Sequence, residues 1–293
     1  MTIKFTSAVD GYAVSAVATL GSVPEAAYVA RGVAAYYRVG DADLFELDAS
    51  SRVVALVAPN LSRIGLPIQS FGYQFHGAIA SYADGFAVVW SGDSSVPGGN
   101  DQDIYLTRYD NAGNVVGTPE MRVSVNPGTT DAQFGNQFLP RIAARADGDL
   151  VIVWRDDNGL DGSGTAVLGR RFDAAGAPLG DVFLVNDNTS GGQYQPKVTA
   201  LSTGGFVVAF YNDTGEYWGD TYIREFDAAG NPVDTDQIVS VDRAQMYGFQ
   251  GEPAVTALDN GDFVVASARY SSADGSASGV YQQLFGDSAA LTR

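Results

Sequence analysis

Residues 147–154, Asp-Gly-Asp-Leu-Val-Ile-Val-Trp, show the pattern that decides the fold of this chain, because the same pattern occurs four times. Each copy has a glycine-containing turn followed by a mainly apolar, β-forming pentamer. The pentamers are Phe86–Trp90, Leu150–Trp154, Phe206–Phe210 and Phe263–Ser267, and their last residues lie 56 to 64 residues apart. Self-similarity at a nearly constant interval is typical of proteins built from stacked structural repeats.

Other short segments keep the same order around each pentamer. A third β-type run follows it and ends in Arg-Tyr-Asp (108–110), Arg-Phe-Asp (171–173) or Glu-Phe-Asp (225–227). Each unit therefore contains four short strands bounded by Gly, Asp and Asn, and no segment has a sustained helical period. The pentamers are apolar on both faces, which indicates sheets stacked against each other. We predict an all-β fold, a five-bladed β-propeller of four-stranded antiparallel blades.

The repeat also predicts the blade boundaries within a single domain, residues 1–293. We expect five repeats, one per blade: repeat 1 at about 12–70, repeat 2 at 71–131, repeat 3 at 132–191, repeat 4 at 192–247 and repeat 5 at 248–293. Repeat 5 has only three strands of its own, and residues 3–10 resemble a fourth strand. We therefore predict that strand 3–10 completes repeat 5 and closes the ring, which removes exposed sheet edges.

Composition excludes several classes of function. The net charge is −17, which disfavours binding to nucleic acids, and the chain has no cysteine and a single histidine, His76. Disulfides, zinc–thiolate sites, thiol catalysis and multi-histidine metal sites are thus excluded. The chain contains no run of 18 apolar residues, so we expect no membrane-spanning helix. Residues 1–10 show no Sec-type signal sequence.

The consensus of the repeat resembles the tandem repeats of large secreted bacterial surface proteins that often also carry calcium-binding RTX nonapeptides. The match is carried best by Gln193, Pro196, Phe206–Phe210, Glu225–Asp227 and Ala228–Pro232. The resemblance implies a secreted or cell-surface protein with an adhesive role. It implies no known reaction.

A glutamine recurs in the links between repeats and has aromatic neighbours. An amide and an aromatic ring are groups that bind sugar hydroxyls and sugar rings. The alternative is a structural joint, in which each glutamine bonds the backbone of the neighbouring blade. Trp218, beside Tyr217, lies in a loop outside the strand pattern and is a further ligand candidate. The candidate ligand-binding residues are Gln74, Gln137, Gln193, Gln250, Tyr73, Tyr194, Tyr217 and Trp218.

The loops between the second and third strands are acidic. Clustered Asp and Asn side chains can supply the oxygen ligands that calcium requires. The best candidate is the loop at 156–164, with Asp156, Asp157, Asn158 and Asp161 as metal ligands. Its spacing does not match an EF-hand, and a solvated loop is the alternative. Calcium is the candidate cofactor.

These features favour a secreted or surface-exposed, carbohydrate-binding module of the lectin or adhesin type, acting as a monomer on a glycan or another extracellular ligand. The first alternative is a structural or protein-interaction domain of a larger secreted protein. The second is a carbohydrate-active enzyme, in which Glu252 and Asp10 would be the carboxylates to test. Because repeated units predict repeated pockets while catalysis needs one differentiated pocket, the sequence favours a non-enzyme and assigns no catalytic residue.

Overall fold

The computed structural model describes residues 74–93, 102–125, 135–213, 219–239, 250–269 and 279–286, and the backbone of five short strands before residue 60. The chain divides into two compact units, residues 1–67 and 68–293. Every regular element in these described segments is a β-strand, so the all-β prediction is confirmed. They contain no helix with the length and hydropathy needed to span a membrane.

The unit 68–293 consists of consecutive antiparallel sheets, one per repeat, each with its strands in chain order. Repeat 2 forms β6 (Gln74–Tyr82), β7 (Gly85–Asp93), β8 (Gln102–Asp110) and β9 (Val115–Arg122). Repeat 3 forms β10 (Gln137–Ala144), β11 (Leu150–Asp156), β12 (Ala166–Phe172) and β13 (Phe183–Leu184). Repeat 4 forms β14 (Gly192–Ala200), β15 (Phe206–Asp213), β16 (Asp220–Phe226) and β17 (Gln237–Ile238). Repeat 5 forms β18 (Gln250–Ala257), β19 (Phe263–Arg269) and β20 (Gly279–Phe285).

The unit 1–67 contains a two-stranded and a three-stranded antiparallel sheet. The strands are β1 (Ile3–Lys4), β2 (Val17–Thr19), β3 (Ala35–Val39), β4 (Asp43–Leu47) and β5 (Val53–Ala58). The described part of the predicted closing strand is β1, and it pairs with β2. The number of blades and the closure of the ring stay predictions.

The core lies between neighbouring sheets, as the two-sided pentamers predicted. Along β11, Leu150, Ile152 and Trp154 pack against repeat 2, while Val151 and Val153 pack against repeat 4. All five side chains are fully buried. Burying one such side chain stabilises the fold by about 1.5–3 kcal/mol, so this pentamer holds two inter-sheet cores together.

A cross-strand aromatic pair recurs at the same end of the second and third strands. Phe206 faces Phe226 with ring centroids 4.6 Å apart, and Phe263 faces Phe285 at 5.0 Å. The phenylalanine at the end of the third strand therefore supplies one half of each pair, a contact worth about 0.5–1.5 kcal/mol beyond burial.

The Asp-X-Ala-Gly segments form tight hairpins between the third and fourth strands. In repeat 3, the Asp173 carboxylate accepts hydrogen bonds from the amides of Ala175 and Ala177, at 2.9 and 2.7 Å. Gly176 has φ of 90°, which a residue with a Cβ rarely adopts. The Arg171 side chain donates to Ala228 O in the hairpin of repeat 4, and so joins the two repeats.

Candidate functional site at the inner strands

The first strands β6, β10, β14 and β18 lie side by side and form the inner edge of the row of sheets. In each sheet the remaining strands follow in chain order away from this edge. Gln137 at the start of β10 pairs with Asp156 at the end of β11, so the first strands begin at the end that carries the acidic loops between the second and third strands.

Each first strand has a β-bulge near this end, where two residues face a single residue of the second strand. In repeat 3, Phe138 pairs with Arg155 and Arg141 with Val153, which leaves Leu139 and Pro140 opposite Trp154. The other three first strands skip register at the equivalent place. A bulge redirects side chains and is over-represented next to active sites.

The first residue of every bulge has a left-handed backbone. His76, Leu139, Gln195 and Glu252 have φ values between 52° and 55°, and none of them is glycine. This conformation costs an L-residue about 1 kcal/mol or more, and such residues cluster at functional sites. We use the name inner rim for these four residues together with Arg141 and Lys197, which lie two positions after the bulge residue in β10 and β14.

Two of the bulge residues contact the first strand of the next repeat: Gln195 contacts Glu252, and His76 contacts Phe138. The Gln195 side-chain oxygen accepts a hydrogen bond from the backbone N–H of Glu252 at 2.8 Å. The His76 ring meets the Phe138 ring edge-on, with centroids 6.4 Å apart, and its Nδ1 lies 3.4 Å from Ser91 Oγ. These contacts join repeat 4 to repeat 5 and repeat 2 to repeat 3 at the bulges.

Charge interactions also run along the inner rim. Burial, and then the positive charge of Arg141, lower the pKa of His76, which favours the neutral imidazole. Burial lowers the pKa of Lys197; Arg141 lowers it further, and Glu252 acts in the opposite direction. The Glu252 side chain is exposed, so its carboxylate is accessible to a ligand.

The repeated glutamines that the sequence singled out have a different environment. Gln137 and Gln193 are 1% and 0% exposed. Each donates an amide hydrogen to the end of the second strand of its own repeat, Gln137 to Asp156 and Gln193 to Asn212, both at 3.2 Å. The bonds to the neighbouring repeat are made instead by the main chain of Gln193 with Thr165, at 2.9 Å in both directions.

The other predicted ligand residues are scattered. Gln74 is exposed at the start of β6, and Tyr194 lies under the Arg155 guanidinium, 5.0 Å from the ring centroid. The side chains of the remaining four fall outside the described residues: Tyr73, Tyr217, Trp218 and Gln250. Ligand binding by these residues stays a prediction.

The four predicted metal ligands lie in one loop, but their oxygens accept bonds from the protein. Asp156 is fully buried and accepts from Asn158 N and Nδ2 at 3.0 and 2.8 Å; burial raises the pKa of its carboxyl group. Asp157 pairs with Arg155 at 2.7 Å, and Asp161 accepts from Asn186 at 3.0 Å. Across the described ranges, no three His, Asp or Glu side chains are grouped as a metal site. Calcium binding stays a prediction.

Two cavities lie at the opposite end, near the turns between strands. One, of about 540 Å³, is lined by residues that include Glu225, Gln237 and Asp262. The other, of about 290 Å³, is lined by residues that include Tyr82, Arg108 and Asp147. Arg108 also donates to Ala174 O of the next repeat, so the second cavity borders a joint between repeats. Neither cavity reaches the inner rim.

No protein-family model and no curated protein sequence matches the chain. Solved structures do resemble it. A GH43 endo-arabinanase from Bacillus licheniformis is 14% identical, with 87% of this chain and 91% of that chain covered and a TM-score of 0.41. An α-L-arabinofuranosidase from Fusarium graminearum in complex with an iminosugar inhibitor is 14% identical, with coverages of 84% and 76% and a TM-score of 0.44. An α-L-arabinanase from Penicillium chrysogenum complexed with arabinobiose is 15% identical, with coverages of 80% and 73% and a TM-score of 0.40.

The expectation of a non-enzyme is corrected. All three of these neighbours are named as enzymes, and none is named as a lectin. The structure also removes the physical reason for that expectation, which was that equal repeats make equal pockets. At the bulge the four repeats carry His76, Leu139, Gln195 and Glu252, so one backbone position presents four different chemistries.

Sequence reasoning missed most of the inner rim. It considered Glu252 and His76 separately and gave no role to Arg141, Lys197 or Gln195. A signal was present: a proline follows the bulge residue in three repeats, at Pro140, Pro196 and Pro253. Proline within a strand marks an edge or a bulge, because it cannot donate to the strand ladder. The residues beside these prolines could have been predicted to leave the ladder.

Proposed function

We propose that this chain is a carbohydrate-active enzyme whose site is the inner rim. The observation that carries the proposal is the set of four different side chains held at one repeated, left-handed bulge position. A scaffold that repeats a glutamine at the start of the first strand but varies the residue two positions later has the differentiated pocket that catalysis needs. The strained backbone at each position supports the same interpretation, because strain persists where function requires it.

Within the inner rim, Glu252 has the role of acid or base. It is the rim's carboxylate among the described residues, and Gln195 fixes its backbone through the 2.8 Å hydrogen bond. Neutral His76 is suited to hydrogen-bond a sugar hydroxyl. Glycoside cleavage ordinarily uses two carboxyl groups, at about 5–5.5 Å or about 6.5–9.5 Å from each other. Asp10, the other carboxylate that the sequence named for this chemistry, lies outside the described residues.

The test is release of reducing ends from a panel of plant and bacterial polysaccharides by the full chain. We expect Glu252→Gln to lower the rate by about 10²- to 10⁴-fold, the usual contribution of a general acid or base.

Glu120→Gln is the matched control. Glu120 also has a left-handed backbone, with φ of 51°, but lies on β9, the outermost strand of repeat 2. It should keep the full rate. A wild-type chain that cleaves no glycan in the panel, or a Glu252→Gln variant as active as Glu120→Gln, would contradict the proposal.

A further inference from the structure

The charge of the inner strands is opposite to that of the chain as a whole. The chain has 34 acidic and 17 basic residues. The four first strands carry one carboxylate, Glu252, and two permanent cations, Arg141 and Lys197. An excess of positive charge on the inner edge therefore contrasts with a strongly acidic surface elsewhere.

The two cations occupy equivalent places in neighbouring strands. Arg141 pairs with Val153 and Lys197 with Ala209, in each case at the first paired position after the bulge. Both side chains are partly buried, and the charge on Arg141 acts on Lys197. The arrangement is thus a pair of like charges held close together by the repeat.

Neither cation is neutralised by a direct ion pair within the described residues. Arg141 Nη1 donates to the carbonyl of its neighbour Pro140 at 2.8 Å, which compensates no charge. Glu252 acts on Lys197 electrostatically, beyond ion-pair distance. Burial lowers the pKa of both basic groups, which shows that their charged forms are disfavoured where they stand. A bound anion would relieve both the mutual repulsion and part of the desolvation cost.

We propose that the inner rim selects a sugar bearing an anionic group, a uronic acid or a sulfated sugar, whose charge is held between Arg141 and Lys197. This inference rests on the proposed function and names the substrate class of that site. The planar guanidinium matches the oxygen pairs of a carboxylate or sulfate, and the ammonium adds a second positive charge. His76 and Glu252 lie on either side of this pair along the rim and would meet the neighbouring hydroxyl groups.

The acidic surface sharpens the specificity. A net charge of −17 repels an anionic polymer at a distance, so such a polymer would not accumulate on the protein without a local site. Binding of an acidic glycan at moderate ionic strength must therefore come from a defined cationic pocket and not from nonspecific attraction to the protein surface.

The experiment is calorimetric titration of the full chain with three oligosaccharides of equal length: oligogalacturonate, its fully methyl-esterified form, and a sulfated oligosaccharide. We expect the acid or the sulfate to bind about 10- to 100-fold more tightly than the neutral ester, the range for a charged hydrogen bond. Comparing the oligogalacturonate with the sulfated oligosaccharide identifies whether the site binds a carboxylate or a sulfate. Equal affinity for the acid, the sulfate and the ester would overturn the inference without any mutation.

Single substitutions test which side chains cause the preference for the anionic sugar. Arg141→Gln and Lys197→Gln should each remove most of this preference, and Arg141→Lys should restore part of it. Arg145→Gln is the charge-matched control, since Arg145 follows β10 at its opposite end and pairs with Asp147 at 3.1 Å. An unchanged preference in Arg141→Gln would contradict the assignment.

Different results would contradict the proposed enzyme function and the proposed anionic substrate. Cleavage of a neutral glycan that depends on Glu252, with no preference for an anionic sugar, would leave the enzyme proposal standing and reject the anionic substrate. Neither binding nor cleavage of any of these glycans would reject both.

Discussion

Two positions in the same strands, two residues apart, show how this molecule separates structure from function. Gln137 and Gln193 repeat the same residue, are buried, and bond the end of the second strand in the same way. Leu139 and Gln195 repeat only the backbone, with φ of 53° and 54°, and differ in side chain from each other, from His76 and from Glu252. These two repeats thus keep the buried residue the same while the residue two positions later is free to vary.

The largest effect that tests this comparison is expected at the buried glutamine. Gln193→Ala removes the donor to Asn212 Oδ1 and leaves buried polar groups without a partner. We expect a loss of about 1–3 kcal/mol in the free energy of unfolding, measured by denaturant titration. Gln195→Ala, the same change two residues later, should cost about 1 kcal/mol or less while lowering activity, because it frees the Glu252 backbone.

This distinction between the two positions would be contradicted if the variants at Gln193 and Gln195 showed each other's effects. A Gln193→Ala protein of wild-type stability that no longer binds glycan would make the buried glutamine a ligand residue, as the sequence suggested. Unchanged activity in Gln195→Ala would remove Gln195 from the site.

A smaller effect should distinguish glycine from alanine at the bulge. Leu139→Ala loses packing and keeps a Cβ at positive φ, whereas Leu139→Gly loses the same packing and relieves the backbone. We therefore expect the glycine variant to be the more stable of the two by about 1 kcal/mol, the reverse of the usual order within a strand. Thermal unfolding of both variants measures this. The usual order, with alanine more stable, would show that the bulge is not strained.

The smallest effect should come from the hairpins far from the inner rim. Hydrogen bonds from Asn231 hold the pKa of the exposed Asp227 carboxyl below its ordinary value of 3.8. A lowered folded-state pKa stabilises the protein above the unfolded-state value, and this contribution is lost as pH falls through the folded-state pKa. We expect Asp227→Asn to have a slightly lower melting temperature at pH 7 and a smaller decrease below about pH 4 than wild type. An identical pH profile would show that the hairpin bond contributes nothing to stability.

The sequence alone determined the repeated parts of the structure. The Phe-Val-Val-type pentamers predicted strands buried on both faces, and Leu150 to Trp154 pack alternately against the two neighbouring repeats. The Asp-X-Ala-Gly segments predicted hairpins, because glycine at positive φ and a short acceptor side chain specify the turn locally. Both depend on near neighbours in the chain and on apolar pattern, which a single sequence shows directly.

Only the tertiary structure decided the candidate site. Whether a residue leaves the strand ladder in a left-handed conformation depends on how two strands pair, and which side chains then meet depends on how four sheets lie side by side. His76, Arg141, Lys197 and Glu252 are each unremarkable in the sequence and lie more than 50 residues apart. They form one charged rim because equivalent bulges in consecutive first strands bring equivalent positions together, while nothing in the repeat requires those positions to carry the same residue.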